Sequence, residues 1–163
     1  MILSRMMVQR SVILGTVILS LIFAVMPITL TLAAWRPEWP LLAIIYWIIA
    51  LPHRVNIGYA FLVGLAVDIL LGSTLGFHAA AYAVVVYPAA RHYPRIRNFS
   101  LSQQAILVLL LVLLARAIVF VLEHYLNNAP FMPHYFWPAL SSALFWPWVF
   151  LIFRKIRRHF QMK

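Results

Sequence analysis

The chain has 163 residues, of which 65% are hydrophobic and only 10% are charged. Soluble domains contain roughly 45–50% apolar and about 25% charged residues, so this composition excludes a water-soluble globule and a disordered chain. Cysteine is absent, which excludes disulfides, thiolate metal sites and cysteine nucleophiles. The composition predicts a small all-α protein that forms one integral membrane domain.

The N-terminal part of the chain predicts a membrane anchor that is not cleaved. Arg5 and Arg10 precede an uncharged stretch over residues 12–35. That stretch exceeds the roughly 20 residues that cross a bilayer, and it is too long for the apolar part of a signal peptide. A polar turn at residues 36–38 separates it from a second, shorter apolar stretch at residues 39–51. The loop that follows contains Pro52, His53 and Arg54.

Residues 55–90 are too many for one crossing, since a helix of this length would span about 54 Å. Gly72 and Gly76 lie near the middle of this stretch, and glycines so close together favour a turn. We therefore expect two short helices with a tight connection. Because both helices are short, the connection is expected to dip below the membrane surface, where protein shields it.

Two further spans and a basic tail complete the predicted architecture. The fifth span follows a basic loop at residues 91–98 and is interrupted by Arg116. The six predicted spans cover residues 12–35, 39–51, 56–71, 76–90, 103–126 and 136–153. The tail, residues 154–163, contains Arg154, Lys155, Arg157 and Arg158.

The distribution of the basic residues predicts the orientation. A net charge of +10 is compatible with nucleic-acid binding and also with basic cytoplasmic loops. With six spans, eleven of the thirteen Lys and Arg residues lie on one side. This places both termini in the cytoplasm and gives no reason to expect a nucleic-acid partner. If residues 39–51 did not cross, the N-terminus would lie outside, but the basic N-terminal segment would then have to be exported.

Two charged side chains within predicted spans, Asp68 and Arg116, are expected to pair. The helical rise places them about 16 and 20 Å from the cytoplasmic side, and an isolated charge in a bilayer costs roughly 2.5–3.5 kcal/mol. A structural ion pair, a proton or ion relay and contact with a partner helix are all compatible with this pattern. Glu123, near the outer end of the fifth span, is expected to meet water.

The remaining polar and small residues indicate packing more than catalysis. Gly64, Gly72 and Gly76 favour close approach of helices, with the lining of a ligand cavity as the alternative. No metal-binding histidine spacing, nucleophile motif or phosphate-binding glycine loop is present, so we expect no metal, no cofactor and no enzymatic activity. The basic tail is expected to form an interfacial helix on anionic lipid, with docking of a cytoplasmic protein as the alternative.

An ordered set of motifs resembles the MreD family of rod shape-determining membrane proteins in its proteobacterial form. The resemblance covers roughly residues 35 to 160, and the length of the chain also matches that of the family. The motifs are Arg36-Pro37 with Trp39, Tyr46-Trp47-Ile48, Leu51 to Asn56, Gly64 with Asp68-Ile69-Leu70, Gly72 to Gly76, Gln103-Gln104-Ala105, Trp146-Pro147-Trp148 and Arg154-Lys155.

This resemblance implies a non-enzymatic component of the cell-wall elongation (Rod) complex in the bacterial inner membrane. It implies contact with the transmembrane helix of MreC, and through the complex with MreB, with RodA and with the penicillin-binding transpeptidase partner of RodA. The six short helices are also similar to the S components of energy-coupling factor transporters. The alternative function is therefore a small-molecule-binding or transporter subunit, and a lipid flippase is a third hypothesis.

Overall fold

Residues 1–162 are described by a computed structural model, and they form eight α-helices. The described residues contain no strand, so the predicted all-α class is confirmed. One turn of 3-10 helix, Pro133–Phe136, precedes the last helix. The helices are α1 (Ile2–Val25), α2 (Leu30–Ala33), α3 (Trp39–Ala50), α4 (Ile57–Leu71), α5 (Phe77–Arg91), α6 (Tyr93–Arg97), α7 (Leu101–Asn127) and α8 (Trp137–His159).

Within residues 1–162, three segments are long and apolar enough to cross a membrane: α1, α7 and the stretch Pro133–His159 that contains α8. The apolar helices α3 and α4 are shorter, with 12 and 15 residues. At about 1.5 Å per residue they extend about 18 and 22 Å, which is less than the hydrocarbon thickness of about 30 Å. Their length alone therefore does not make them membrane spans.

The first and last helices differ from the predicted boundaries. Helix α1 begins at Ile2 and ends at Val25, well before residue 35, because Met26 precedes Pro27 and is extended. A residue before proline disfavours the helical conformation. Helix α8 continues through the basic residues up to His159, so most of the predicted basic tail is helical and continuous with α8.

Helix α3 lies at the centre of the molecule. Residues 40–50 are all buried, and Leu41, Ile44, Trp47 and Ile48 have no exposed surface. Helices α1, α4, α5, α6 and α8 contact it, and α7 packs outside against α5 and α8. A helix that is apolar on every face is stable only away from water, and here protein surrounds it. The central helix is thus the core around which the longer helices assemble.

Residues 55–90 contain two short helices, α4 and α5, as predicted. The two helices pack against each other more extensively than any other pair in the fold. Gly72 ends α4 with a φ of 68°, and Gly76 precedes α5 with a φ of 98°. Residues with a side chain rarely adopt this left-handed backbone conformation, whereas glycine does so without strain. The two glycines therefore produce the tight reversal that brings α5 back along α4.

Both ends of the described chain lie at one end of the bundle. Ser4, near the start of α1, lines the same cavity as Gln161, which follows α8. His53, after α3, shares one cavity with Arg10 and another with Arg157. We call this the basic end; it comprises residues 1–10, 52–54, 91–98 and 154–162. At the opposite end Trp35 and Trp137 stack with ring centroids 4.8 Å apart.

Candidate functional site

A buried ion pair connects the start of α3 to the middle of α7. The Arg116 guanidinium lies 2.5 Å from the Glu38 carboxylate. The Tyr82 hydroxyl, on α5, donates a hydrogen bond to the other Glu38 oxygen at 2.9 Å. The Glu38 backbone N–H donates to the Ser142 hydroxyl, on α8, at 3.0 Å. We call these four residues the Glu38 cluster; they join four helices through one carboxylate-bearing residue.

The Glu38 cluster places a carboxylate and a guanidinium where little water reaches them. Glu38 is 9% exposed and Ser142 is fully buried. The Arg116 guanidinium also lies over the Tyr135 ring, 5.2 Å from its centroid, a cation–π contact. Burial of two charges costs free energy that their attraction only partly offsets, whereas removal of one partner leaves the other uncompensated. The pair is therefore a strong determinant of which helices meet here.

The predicted Asp68–Arg116 pair is wrong. Arg116 pairs with Glu38, and Asp68 bonds to groups at the start of α5. The sequence pattern indicated a polar turn at residues 36–38 outside the membrane, but the chain folds back after α1, so that α3 begins inside the bundle. The available signal was that the chain has only three acidic residues, which left few partners for Arg116.

A second polar cluster surrounds the Asp68 carboxylate, which is completely buried. One carboxylate oxygen accepts hydrogen bonds from the Ser73 hydroxyl at 2.9 Å and the His78 N–H at 3.1 Å, and it lies 2.7 Å from His78 Nδ1. The other oxygen accepts from the N–H groups of Gly76 at 2.9 Å and Ala79 at 3.4 Å. We call these five residues the Asp68 cluster.

The Asp68 cluster caps the N-terminus of α5 from another helix. The first backbone N–H groups of a helix have no partner within that helix, and the positive end of the helix dipole favours an anion. Gly76 at the N-cap position has no side chain to accept these bonds, so Asp68 of α4 takes that role. Position 64 requires glycine, because a Cβ there would lie 2.4 Å from Ala79 Cα.

The comparisons with known proteins identify the family. A protein-family model described as rod shape-determining protein MreD matches residues 4–156. The chain belongs to the MreD family. It is 43% identical over 143 residues to the rod shape-determining protein MreD of Haemophilus influenzae, an alignment that covers 83% of this chain and 88% of the relative. No solved structure matches the chain.

Membership of the MreD family confirms the resemblance read from the sequence motifs. MreD proteins determine rod shape and are not enzymes. The family assignment and the apolar helices together make this chain a membrane protein with a role in cell shape. Within residues 1–162, no group of three or more His, Asp or Glu residues is arranged to hold a metal ion.

The remaining predicted residues of this MreD-family chain lie near the ends of the bundle. Glu123 is partly exposed near the end of α7 and forms no salt bridge within residues 1–162. Pro52, His53 and Arg54 form the turn after α3, where the Arg54 Nε–H lies 3.3 Å from His53 Nε2. The basic residues Arg154, Lys155, Arg157 and Arg158 lie on the last turns of α8.

Two arginines cap helices, a role that the sequence did not predict for either of them. Arg36 donates hydrogen bonds to the carbonyl oxygens of Ala24 and Met26 at the end of α1. Arg97 donates to those of Ile49 at 2.6 Å and Ala50 at 2.8 Å at the end of α3. Arginine near a helix C-terminus satisfies carbonyls that have no partner within the helix and interacts favourably with the dipole. No local sequence pattern predicted these contacts, because each arginine lies at least 10 residues along the chain from the carbonyls that it caps.

Proposed function

We propose that this protein is a non-catalytic inner-membrane component of the cell-wall elongation complex, and that it binds the transmembrane helix of MreC. Through the complex it connects with MreB, with RodA and with the penicillin-binding transpeptidase. The observation that carries the proposal is how the intramembrane polar groups are used. Glu38, Asp68 and Arg116 fix helices to one another, which suits a rigid scaffold whose outer faces are available to neighbours.

We also propose that the chain crosses the membrane six times with both termini in the cytoplasm. The arrangement at the basic end supports this topology, because Ser4 and Gln161 line one cavity there. Helix α3 runs toward that end, since Arg97 of the basic end caps its last carbonyls. A five-span topology would put the two termini on opposite faces, at odds with that shared cavity. Collection of arginines on one side agrees with the positive-inside rule.

The outer face of α7 is our first candidate for contact with MreC. It carries an exposed apolar stripe of four residues with spacings of four or seven, which lie along one side of a helix. Lipid tails are as apolar as the stripe, so association in the membrane depends on shape and packing more than on exclusion of water. The stripe consists of Ile106, Leu110, Leu114 and Val121.

Site-specific photocrosslinking in the native membrane tests the proposal. A photoreactive amino acid is placed at each stripe position of α7 and at the exposed α4 positions Leu62 and Ile69. The matched controls are the buried α7 positions Val108 and Val112. We expect crosslinks to MreC from one exposed face and none from the buried controls. If no exposed position of either helix yields a crosslink to MreC, the binding proposal is wrong.

The alternative of a small-molecule-binding subunit has weaker support. The cavity beside the Glu38 cluster has a volume of about 150 Å³ and is lined in part by Arg36, Glu38, Tyr82 and Arg116. Sites for small molecules usually measure about 300–1,000 Å³. The polar groups are thus suitable for a ligand, but the cavity has only about half the volume at the lower end of that range. Release of a metabolite from protein purified in mild detergent would favour this alternative.

A further inference from the structure

A large cavity opens at the basic end and is lined by basic side chains from three parts of the chain. It has a volume of about 770 Å³. We call it the basic pocket and define it by His53 after α3, Tyr93 and Arg97 on α6, and Arg157 and Arg158 on α8. Because the residues come from distant parts of the sequence, no local sequence motif predicted the pocket.

The positive charge of the basic pocket has no carboxylate partner among residues 1–162. The salt bridges within residues 1–162 are those of Glu38 and Asp68, which lie in the two buried clusters and not in the pocket. Glu123, the third acidic residue, is near the end of α7 away from the pocket, about 33 Å along the helix from Leu101. A group of cations that has no carboxylate partner within residues 1–162 favours an anionic ligand.

One arginine of the basic pocket is already held in place. The Arg97 guanidinium donates two hydrogen bonds to carbonyls at the end of α3 and lies over the Tyr93 ring, 4.9 Å from its centroid. Its Nη1 forms no hydrogen bond within residues 1–162. A guanidinium that is fixed before binding loses less conformational freedom when a ligand arrives, and Nη1 remains to donate a charge-assisted hydrogen bond to a phosphate oxygen.

A second cavity adjoins the basic pocket, and both apolar and basic side chains line it. It has a volume of about 370 Å³ and shares Ala50, Arg97 and Arg157 with the basic pocket. Gln104 and Arg154 also line it, beside the hydrophobic side chains of Tyr46, Ile49, Phe99, Leu101 and Phe150. We call these five hydrophobic residues the apolar annex. Cationic side chains next to such residues match a molecule with an anionic head and a hydrocarbon chain.

We propose that the basic pocket binds a phosphate ester and that the apolar annex receives the start of a lipid chain attached to it. Phosphate is the anionic group that membrane lipids present at the interface, where α8 carries its basic turns. A soluble phosphate ester would satisfy the arginines equally well, but it would leave the apolar annex without a role. The proposal is independent of MreC binding, because it uses neither the α7 stripe nor the two buried clusters.

Native mass spectrometry of the full chain in a non-ionic detergent separates the possible ligands. Three probes are titrated: dioleoyl phosphatidic acid, dioleoylglycerol, which has the chains without phosphate, and glycerol phosphate, which has the phosphate without chains. We expect phosphatidic acid to bind most tightly. Equal binding of dioleoylglycerol would overturn the phosphate site. Equal binding of glycerol phosphate would retain the phosphate site and overturn the assignment to a lipid.

Two double variants with the same loss of charge test the location. Arg157→Gln with Arg158→Gln changes the basic pocket, whereas Arg91→Gln with Lys155→Gln removes two exposed charges at the same end without changing a lining residue. We expect the first to weaken phosphatidic acid binding by about tenfold or more and the second by less than about threefold. Equal weakening would show general attraction and overturn the pocket.

A third variant and a folding measurement distinguish loss of the phosphate site from misfolding of the protein. Arg157→Lys keeps the charge but loses the planar fork, so we expect an intermediate affinity for phosphatidic acid. Circular dichroism of every variant should show unchanged helix content, because Arg157 is only partly buried and Arg158 is exposed. Full binding by the Arg157→Gln, Arg158→Gln protein with native helix content would overturn the proposal.

Discussion

The Glu38 carboxylate and the Arg116 guanidinium lie 2.5 Å apart, although 77 residues of chain separate them in the sequence numbering. The contact fixes the start of the central helix against the middle of α7. Tyr82 and Ser142 bind the same glutamate from α5 and α8. The position of α3 within the bundle is therefore set by contacts of three other helices with Glu38, the residue before its first turn.

Exchange of the two charges should distinguish this pair from any other. Glu38→Gln and Arg116→Gln should each lower the free energy of unfolding by about 3–5 kcal/mol, because each leaves a buried charge without its partner. The exchange Glu38→Arg with Arg116→Glu should recover part of this loss. Thermal unfolding in detergent, followed by circular dichroism, measures the difference.

The corresponding exchange at position 68 is the control. Asp68→Arg with Arg116→Asp should recover nothing, since these residues lie in separate clusters. A recovery by the exchange at 68 and 116, with none at 38 and 116, would contradict the pairing that the structure shows.

Gly64→Ala should destabilise the α4–α5 pair. The added methyl group would meet the Ala79 Cα at 2.4 Å and the Ala79 backbone N at 2.6 Å, and backbone atoms cannot move aside as a flexible side chain can. We expect a loss of about 1–3 kcal/mol, the usual cost of overpacking. Gly15→Ala in α1 is the matched control, because nothing lies within 4 Å of its Cβ position. That substitution should leave stability unchanged or raise it by up to about 1 kcal/mol. Equal effects of the two substitutions would remove the close-approach role of Gly64.

Asp68→Ala should loosen the start of α5. The substitution leaves the backbone N–H groups of Gly76, His78 and Ala79 without their carboxylate acceptor, and an unsatisfied buried donor costs about 1–3 kcal/mol. Hydrogen exchange of these amides should accelerate, whereas amides in the middle of α7 should keep their native protection. Ser73→Ala removes one hydroxyl donor and leaves the carboxylate in place, so its effect should be smaller. Native exchange rates in the Asp68→Ala protein would show that the carboxylate does not act as a cap.

The pairing of α4 with α5 was predictable because the length of the stretch and its glycines decided it. The stretch at residues 55–90 was too long for one span, and Gly72 and Gly76 provided the turn that the structure shows. The partner of Arg116 was not predictable in the same way. The helical rise gives the depth of a side chain, but the direction in which it points depends on how the helices pack.

The position of Glu38 illustrates this limit. Its depth depends on the return of the chain into the bundle after Val25, which in turn depends on Pro27 and on the contact of Arg36 with the end of α1. Asp68 turns away from Arg116 because the N–H groups at the start of α5 offer a closer set of donors. Both outcomes require tertiary contacts that no local sequence window contains.

Single cysteines can test the six-span topology, since the chain has no cysteine of its own. Ser4→Cys, His53→Cys and Gln161→Cys should react with a membrane-impermeant thiol reagent only when the cytoplasmic face is accessible. Asn128→Cys, in the exposed connection after α7, should react from the opposite face. Glu38 is a poor labelling site because it is buried. Labelling of Ser4→Cys and Gln161→Cys from opposite faces would favour the five-span alternative, in which α3 does not cross. It would also conflict with the cavity that Ser4 and Gln161 share, so a single pair of positions decides between the two topologies.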